Sequence, residues 1–153
     1  MNRSVGIYIL AVTLAALGNG CSGIKTDANA TGLETLARCP DRPNCVSSEA
    51  SDAKHAVESM QLKGDTATGW EGVRRVVGRW PRTGIVKATD RYLHVECKSR
   101  VFGFVDDLEL LLDPVTGEVA IRSASRVGYS DLGVNRRRVE ALRQELREEG
   151  IIH

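Results

Sequence analysis

The stretch FGFVDDLELLLDPVTGEVAIRSASR, running from Phe102 to Arg126, reads as two strands joined by a tight turn. Pro114-Val115-Thr116-Gly117 supplies the turn, since proline fixes φ and glycine accepts conformations closed to other residues. Placing Asp113 opposite Glu118 sets the register. Leu112 then meets Val119 and Leu110 meets Ile121 on one face, while Glu109 meets Arg122 on the other, as opposite charges should. Followed away from the turn, the same register puts Leu108 beside Ser123 and Asp106 beside Ser125, still facing inward. A face that is apolar near the turn thus becomes polar at its open end, and buried polar groups demand partners.

A second hairpin precedes this one. Thr83 to Thr89 and Tyr92 to Lys98 meet at Asp90-Arg91, and pairing Thr89 with Tyr92 puts Val86 and Ala88 on the same face as Val95 and Leu93. Cys97 shares that inward face and reads as a small buried hydrophobe rather than a nucleophile. His94 and Glu96 point the other way, into a solvated outer face with Tyr92, Lys98, Asp107, Glu109 and Arg122.

Helices bracket the strands. Thr68-Gly69-Trp70-Glu71 has the form of a capping box with Thr68 as N-cap, and Trp70, Val73, Val77 and Trp80 share a helical face that Pro81 ends. After a loop from Gly128 to Gly133, Asp131 or Asn135 is placed to cap a last helix whose Val139, Leu142 and Leu146 face the sheet. Gly150 fits its C-terminal cap, with Ile151 as the hydrophobic partner. The expected fold is α+β: helix, four antiparallel strands, helix, with the helices packed on one face.

Upstream, Arg3 and the apolar run from Val5 to Leu17 have the form of an export signal, short for a membrane span. Cys21 follows Gly18-Asn19-Gly20, so a cut before it leaves either an acylated cysteine, as in bacterial lipoproteins, or the first residue of a secreted chain. The expected organisation is a signal peptide over 1–20, a polar tether over 21–35 and one domain over 36–153. The product faces the periplasm on a lipid anchor, or is periplasmic or secreted without one. In such an oxidising compartment Cys39 and Cys45 read as a disulfide around two prolines; zinc competes, but the cysteine spacing is wide for it and the chain has three histidines. No metal or cofactor is expected.

The chain has 153 residues and near-balanced charge, 21 Lys+Arg against 20 Asp+Glu, with 5% aromatics. Neither a nucleic-acid electrostatic footprint nor a base-stacking platform is indicated. Polar chemistry concentrates between Arg122 and Arg138. Ser123, Ser125, Arg126, Tyr129, Asp131, Asn135 and Arg136, with Asp106 opposite, form the candidate ligand site, where hydroxyls, guanidinium groups and a helix start converge. The competing reading is a structural network in which Asp106 and Asp107 pair with Arg126 and Arg136. No serine-hydrolase elbow, phosphate-binding loop or His-Glu-x-x-His motif appears.

Three segments carry a resemblance: Cys39-Pro40 with Pro43-Asn44-Cys45-Val46-Ser47-Ser48, Phe102-Gly103-Phe104-Val105-Asp106-Asp107, and the whole run from Arg122 to Arg136. Together they resemble the domain-of-unknown-function 1499 family (DUF1499), from Cys39 to about Leu146. The resemblance implies a small domain, often exported or membrane-attached in bacteria, with no assigned activity and no catalytic role to place on any residue. Three functional readings follow: a membrane-tethered envelope module binding an anionic or amphipathic small ligand, an envelope hydrolase using Asp106 or Ser125, and a structural lipoprotein meeting a protein partner through its outer sheet face.

Overall fold

The computed structural model describes residues 34–153. The expected signal peptide, Cys21 and nearly all of the expected tether lie outside the described residues. In chain order the elements are β1 (Cys45–Ser47), β2 (Met60–Gln61), α1 (Thr66–Gly78), β3 (Thr83–Ala88), β4 (Tyr92–Lys98), β5 (Val105–Leu112), β6 (Glu118–Ser125) and α2 (Val134–Glu148). The fold is α+β, with an antiparallel sheet in the order β1-β6-β5-β4-β3. Four strands were expected, and six form among the described residues. The additional β1 and β2 are two or three residues long, and both pair with β6. No helix among the described residues is long and apolar enough to cross a membrane.

The β5–β6 register follows from its turn. Asp113 Oδ1 accepts from the N–H groups of Val115 and Thr116, and Gly117 sits at φ +71°. Leu112 then faces Val119, Leu110 faces Ile121, and Asp106 faces Ser125, as the alternation predicted. The inward side chains of β4, β5 and β6 are dry and meet Trp70, Val73 and Val77 of α1 and Val139, Leu142 and Leu146 of α2. Truncating one of these large core groups to alanine is worth about 2–5 kcal/mol.

Two elements depart from expectation. α1 starts earlier, because Asp65 rather than Thr68 is the N-cap; its Oδ1 accepts from both the N–H and the hydroxyl of Thr68. In β3 the register slips between Ile85 and Lys87, so Val86 is an extra residue and Ile85 takes the place opposite Val95. Ala88 keeps its expected place opposite Leu93, although it is exposed at the sheet edge, whereas Val86 is exposed and has no partner in the register. A bulge on an edge strand bends it away from further pairing.

The helix termini are closed. At the end of α2, Ile151 N–H returns to Leu146 O and Gly150 N–H to Arg147 O, with Gly150 at φ +69° and Ile151 buried. That is the paired-bond C-terminal cap the sequence indicated. Upstream of the sheet, Cys39 and Cys45 are joined as a disulfide.

Candidate functional site

The polar end of the sheet lies under the first turns of α2. β5 and β6 hold Asp106, Ser123 and Ser125 inward, and α2 lowers Asn135 and Arg138 onto them. Asn135 is fully buried and uses all of its side-chain capacity. Its Oδ1 accepts from Ser123 Oγ at 2.7 Å and from Arg138 Nη1 at 2.5 Å; its Nδ2 donates to Ser125 Oγ at 2.9 Å and to Asn44 O at 3.0 Å. Arg138 also donates to Ser123 Oγ at 2.9 Å and, through Nη2, to Asp106 Oδ2 at 2.5 Å. A buried polar network whose central groups are satisfied in this way fixes one arrangement of a core.

Asn44 extends the network into the disulfide loop. It is buried, donates to Gly128 O at 2.9 Å, and its own carbonyl receives Ser125 N–H. Among the described residues its Oδ1 has no partner. Neither Asn44 nor Arg138 belonged to the sequence-derived set. Arg138 was within reach of sequence reasoning, since it stands three residues after Asn135 and adjoins Val139 on the sheet-facing stripe. Asn44 stands in the Pro43-Asn44-Cys45 segment that carries the family resemblance, but nothing in its spacing tied it to α2.

The other predicted residues fall elsewhere. Arg126 does not join the inward cluster: the chain alternates past Ser125, and the guanidinium lies on the outer face. There it donates to both oxygens of Asp107 at 2.7 and 2.9 Å and to Glu96 at 2.7 Å. Burial alone would raise the Asp107 carboxyl, but bonds from Arg126 and His94 outweigh it and hold the group below the usual carboxylate range. Arg136 donates to Ala56 O and Lys54 O, tying the 54–57 segment to α2. Tyr129 is exposed. Asp131 caps α2: its two oxygens accept from Gly133 N–H and Asn135 N–H at 2.9 and 2.7 Å, while Gly133 occupies the N-cap position at φ +78°.

The outer sheet face is drier than the sequence suggested. Tyr92 and Glu109 are buried there; the phenol donates to Glu109 at 2.7 Å, and Arg122 holds the other carboxylate oxygen. Burial first, and then Glu109, push the phenol above its ordinary range.

Beside the inward network opens a cleft of about 380 Å³ bordered by Trp80, Arg82, Cys97, Lys98, Arg100 and Arg138. Four cations and no carboxylate line it. The Trp80 indole is oriented by donating to Glu145 Oε2 at 2.7 Å. Arg82 has φ +58°, a left-handed conformation that is uncommon for a residue with a side chain. Cys97 is buried and its thiol is pushed up by that burial, so it forms a wall rather than a reactive group. A larger cleft of about 560 Å³, at the start of α1 beside Trp70, Leu112 and Pro114, lies away from this polar chemistry. Asp106 and Ser125 stand opposite each other, but Ser125 Oγ accepts from Asn135, Asp106 is held by Arg138, and among the described residues no hydrogen bond joins the hydroxyl to the carboxylate. Among the described residues no group of three or more His, Cys, Asp or Glu side chains is arranged to hold a metal ion.

The model of a family described as a protein of unknown function, DUF1499, matches residues 35–146. No curated protein matches the chain, and no solved structure does.

Proposed function

This chain belongs to the DUF1499 family, and on that premise we propose that it is a binding module of the cell envelope, exported and tethered through Cys21, that takes an anionic or amphipathic small ligand. The observation that carries the reading is the cleft that Arg82, Lys98, Arg100 and Arg138 border together with Trp80. Cations with no carboxylate among them favour a negative head group, and the indole offers an apolar wall to a short hydrocarbon. Arg138 is already neutralised by Asp106, which leaves Arg82, Lys98 and Arg100 as the groups that answer an incoming charge. The Asp106–Arg138–Asn135 network behind them serves as the rigid support that such a site needs. This assigns the inward residues Asp106, Ser123, Ser125 and Asn135 to positioning, and the contacts with ligand to the rim.

The test is a thermal-shift panel of alkyl phosphates, alkyl sulfates and fatty acids on the protein and on its K98E/R100E variant. Binding at a hundredfold excess over Kd stabilises by about 2.7 kcal/mol, a shift of several degrees. The variant is expected to fold normally and lose the shift. No shift with any amphiphile, or an equal shift in the variant, overturns the reading. Intact mass of the protein purified from a bacterial envelope tests the anchor separately: a diacylglyceryl adduct at Cys21 supports it, and an unmodified mass rules it out.

A further inference from the structure

The end of the domain that carries the polar network also gathers most of the exposed apolar side chains among the described residues. The β4–β5 loop presents Val101, Phe102 and Phe104, and the β6–α2 loop presents Val127, Tyr129 and Leu132. Phe102 is 76% exposed and Leu132 85%. The rings of Phe102 and Phe104 stack on each other at 5.6 Å. The loops are neighbours by construction. Ser99 N–H closes the first onto Phe104 O, and Arg126 N–H, at the start of the second, reaches Val105 O at 3.4 Å.

Cations are interleaved with these groups. Lys98, Arg100 and Arg137 are exposed, and no carboxylate pairs with them among the described residues. The one acid in either loop, Asp131, is engaged with the N–H groups that open α2. We infer that this end of the domain docks on the surface of an anionic phospholipid bilayer, with Phe102, Phe104 and Leu132 entering the interface and Lys98, Arg100 and Arg137 meeting the head groups.

The arrangement favours lipid over a protein partner. The cores of protein–protein interfaces are depleted in charge, whereas here a cation stands within a few residues of each apolar tip. Aromatic and aliphatic side chains on projecting loops, over a cationic ground, suit the boundary between head groups and acyl chains. Each cation near such a surface contributes about a fivefold gain in partitioning. The inference does not need the small-ligand cleft: the apolar tips lie outside its lining, and the test below leaves Lys98 and Arg100 in place.

The test reads position, so that any anchor elsewhere in the chain does not mimic the result. A tryptophan is placed in the full chain at Phe102 (F102W) or, as control, at Val115 (V115W), which is 91% exposed on the turn at the opposite end of β5 and β6. Both proteins are mixed with vesicles containing brominated phosphatidylcholine, with and without phosphatidylglycerol. Quenching is read as the excess over the parent protein, whose Trp70 and Trp80 set the baseline; the expected result is excess quenching in F102W that rises with phosphatidylglycerol, and none in V115W. In a second variant, F104S/L132S, quenching at 102 falls at least tenfold while the thermal midpoint holds. Equal quenching at both positions, or none at either, overturns the proposal. Concentration-dependent burial of the tryptophan at 102 in the absence of lipid also overturns it, and assigns the face to a second copy of the chain.

Discussion

Arg138 Nη2 lies 2.5 Å from Asp106 Oδ2, with only 12% and 7% of the two side chains open to solvent, so β5 and α2 are joined by an ion pair that has given up most of its water. The pair is further bonded through Ser123 and Asn135, which is the condition under which a buried charge is tolerated.

Removing the arginine alone strands the carboxylate. Arg138→Ala is expected to lose about 3–5 kcal/mol in urea unfolding, the usual cost of an uncompensated buried charge. The double variant D106L/R138M, apolar and of similar bulk, is expected to recover most of that loss. A cost below about 1 kcal/mol for Arg138→Ala would place the pair in the class of exposed ion pairs and remove the rigid support from the proposed site.

Arg126 supplies the contrast. It bonds Asp107 and Glu96 on the outer face and is partly exposed, so solvent screens the pairs. Arg126→Ala is expected to cost no more than about 1 kcal/mol. Its thermal-shift response to alkyl phosphates should match that of the parent protein. A ligand response lost in this variant alone would move the site to the outer face.

The contrast between these two arginines also shows what the residues disclosed beforehand. Strict alternation on either side of Pro114-Val115-Thr116-Gly117 fixed which side chains of β5 and β6 face inward, because one slipped residue would have turned Leu110 and Ile121 to water. Arg126 was misplaced because the inward set was extended past Ser125 without continuing the alternation. Three things were not legible for physical reasons. β1 and β2 are too short to carry a period, and their ladders form on β6. The bulge at Val86 is a property of an edge that no buried face constrains. Asp65 and Thr68 are both competent caps, and the choice between them rests on where the chain enters the helix.

His55 gives a pH dependence with a definite sign. The ring is buried; Nδ1 meets Asp52 at 2.9 Å and Nε2 meets Arg42 O at 3.0 Å. Two acceptors favour the imidazolium, and the bond to Asp52, followed by that to Arg42 O, raises the pKa above its ordinary value. A raised folded pKa contributes stability that is fully present below the unfolded value, about 6.5, and is lost as pH climbs through the folded one. The denaturant midpoint is therefore expected to be higher at pH 6 than at pH 8, and the difference should vanish in His55→Gln. An unchanged pH difference in that variant would assign the effect to another group.

The Cys39–Cys45 disulfide restrains the loop that presents Asn44 to the polar network. A seven-residue closed loop is worth about 2.4 kcal/mol by loop entropy, and less here because Pro40 and Pro43 already stiffen the unfolded segment. The C39S/C45S variant is accordingly expected to lose between about 1 and 2.4 kcal/mol and to remain folded. Asn44 explains why folding should survive. Its carbonyl receives Ser125 N–H and Asn135 Nδ2, and its own Nδ2 reaches Gly128 O, so the loop is also tied at three points that do not involve sulfur. Urea unfolding of the variant, beside the parent protein with and without reductant, checks this directly. Reductant should lower the parent to the midpoint of the variant and leave the variant unmoved. A variant that fails to fold at all would show that the disulfide holds the Asn44 contacts in place, rather than adding to them.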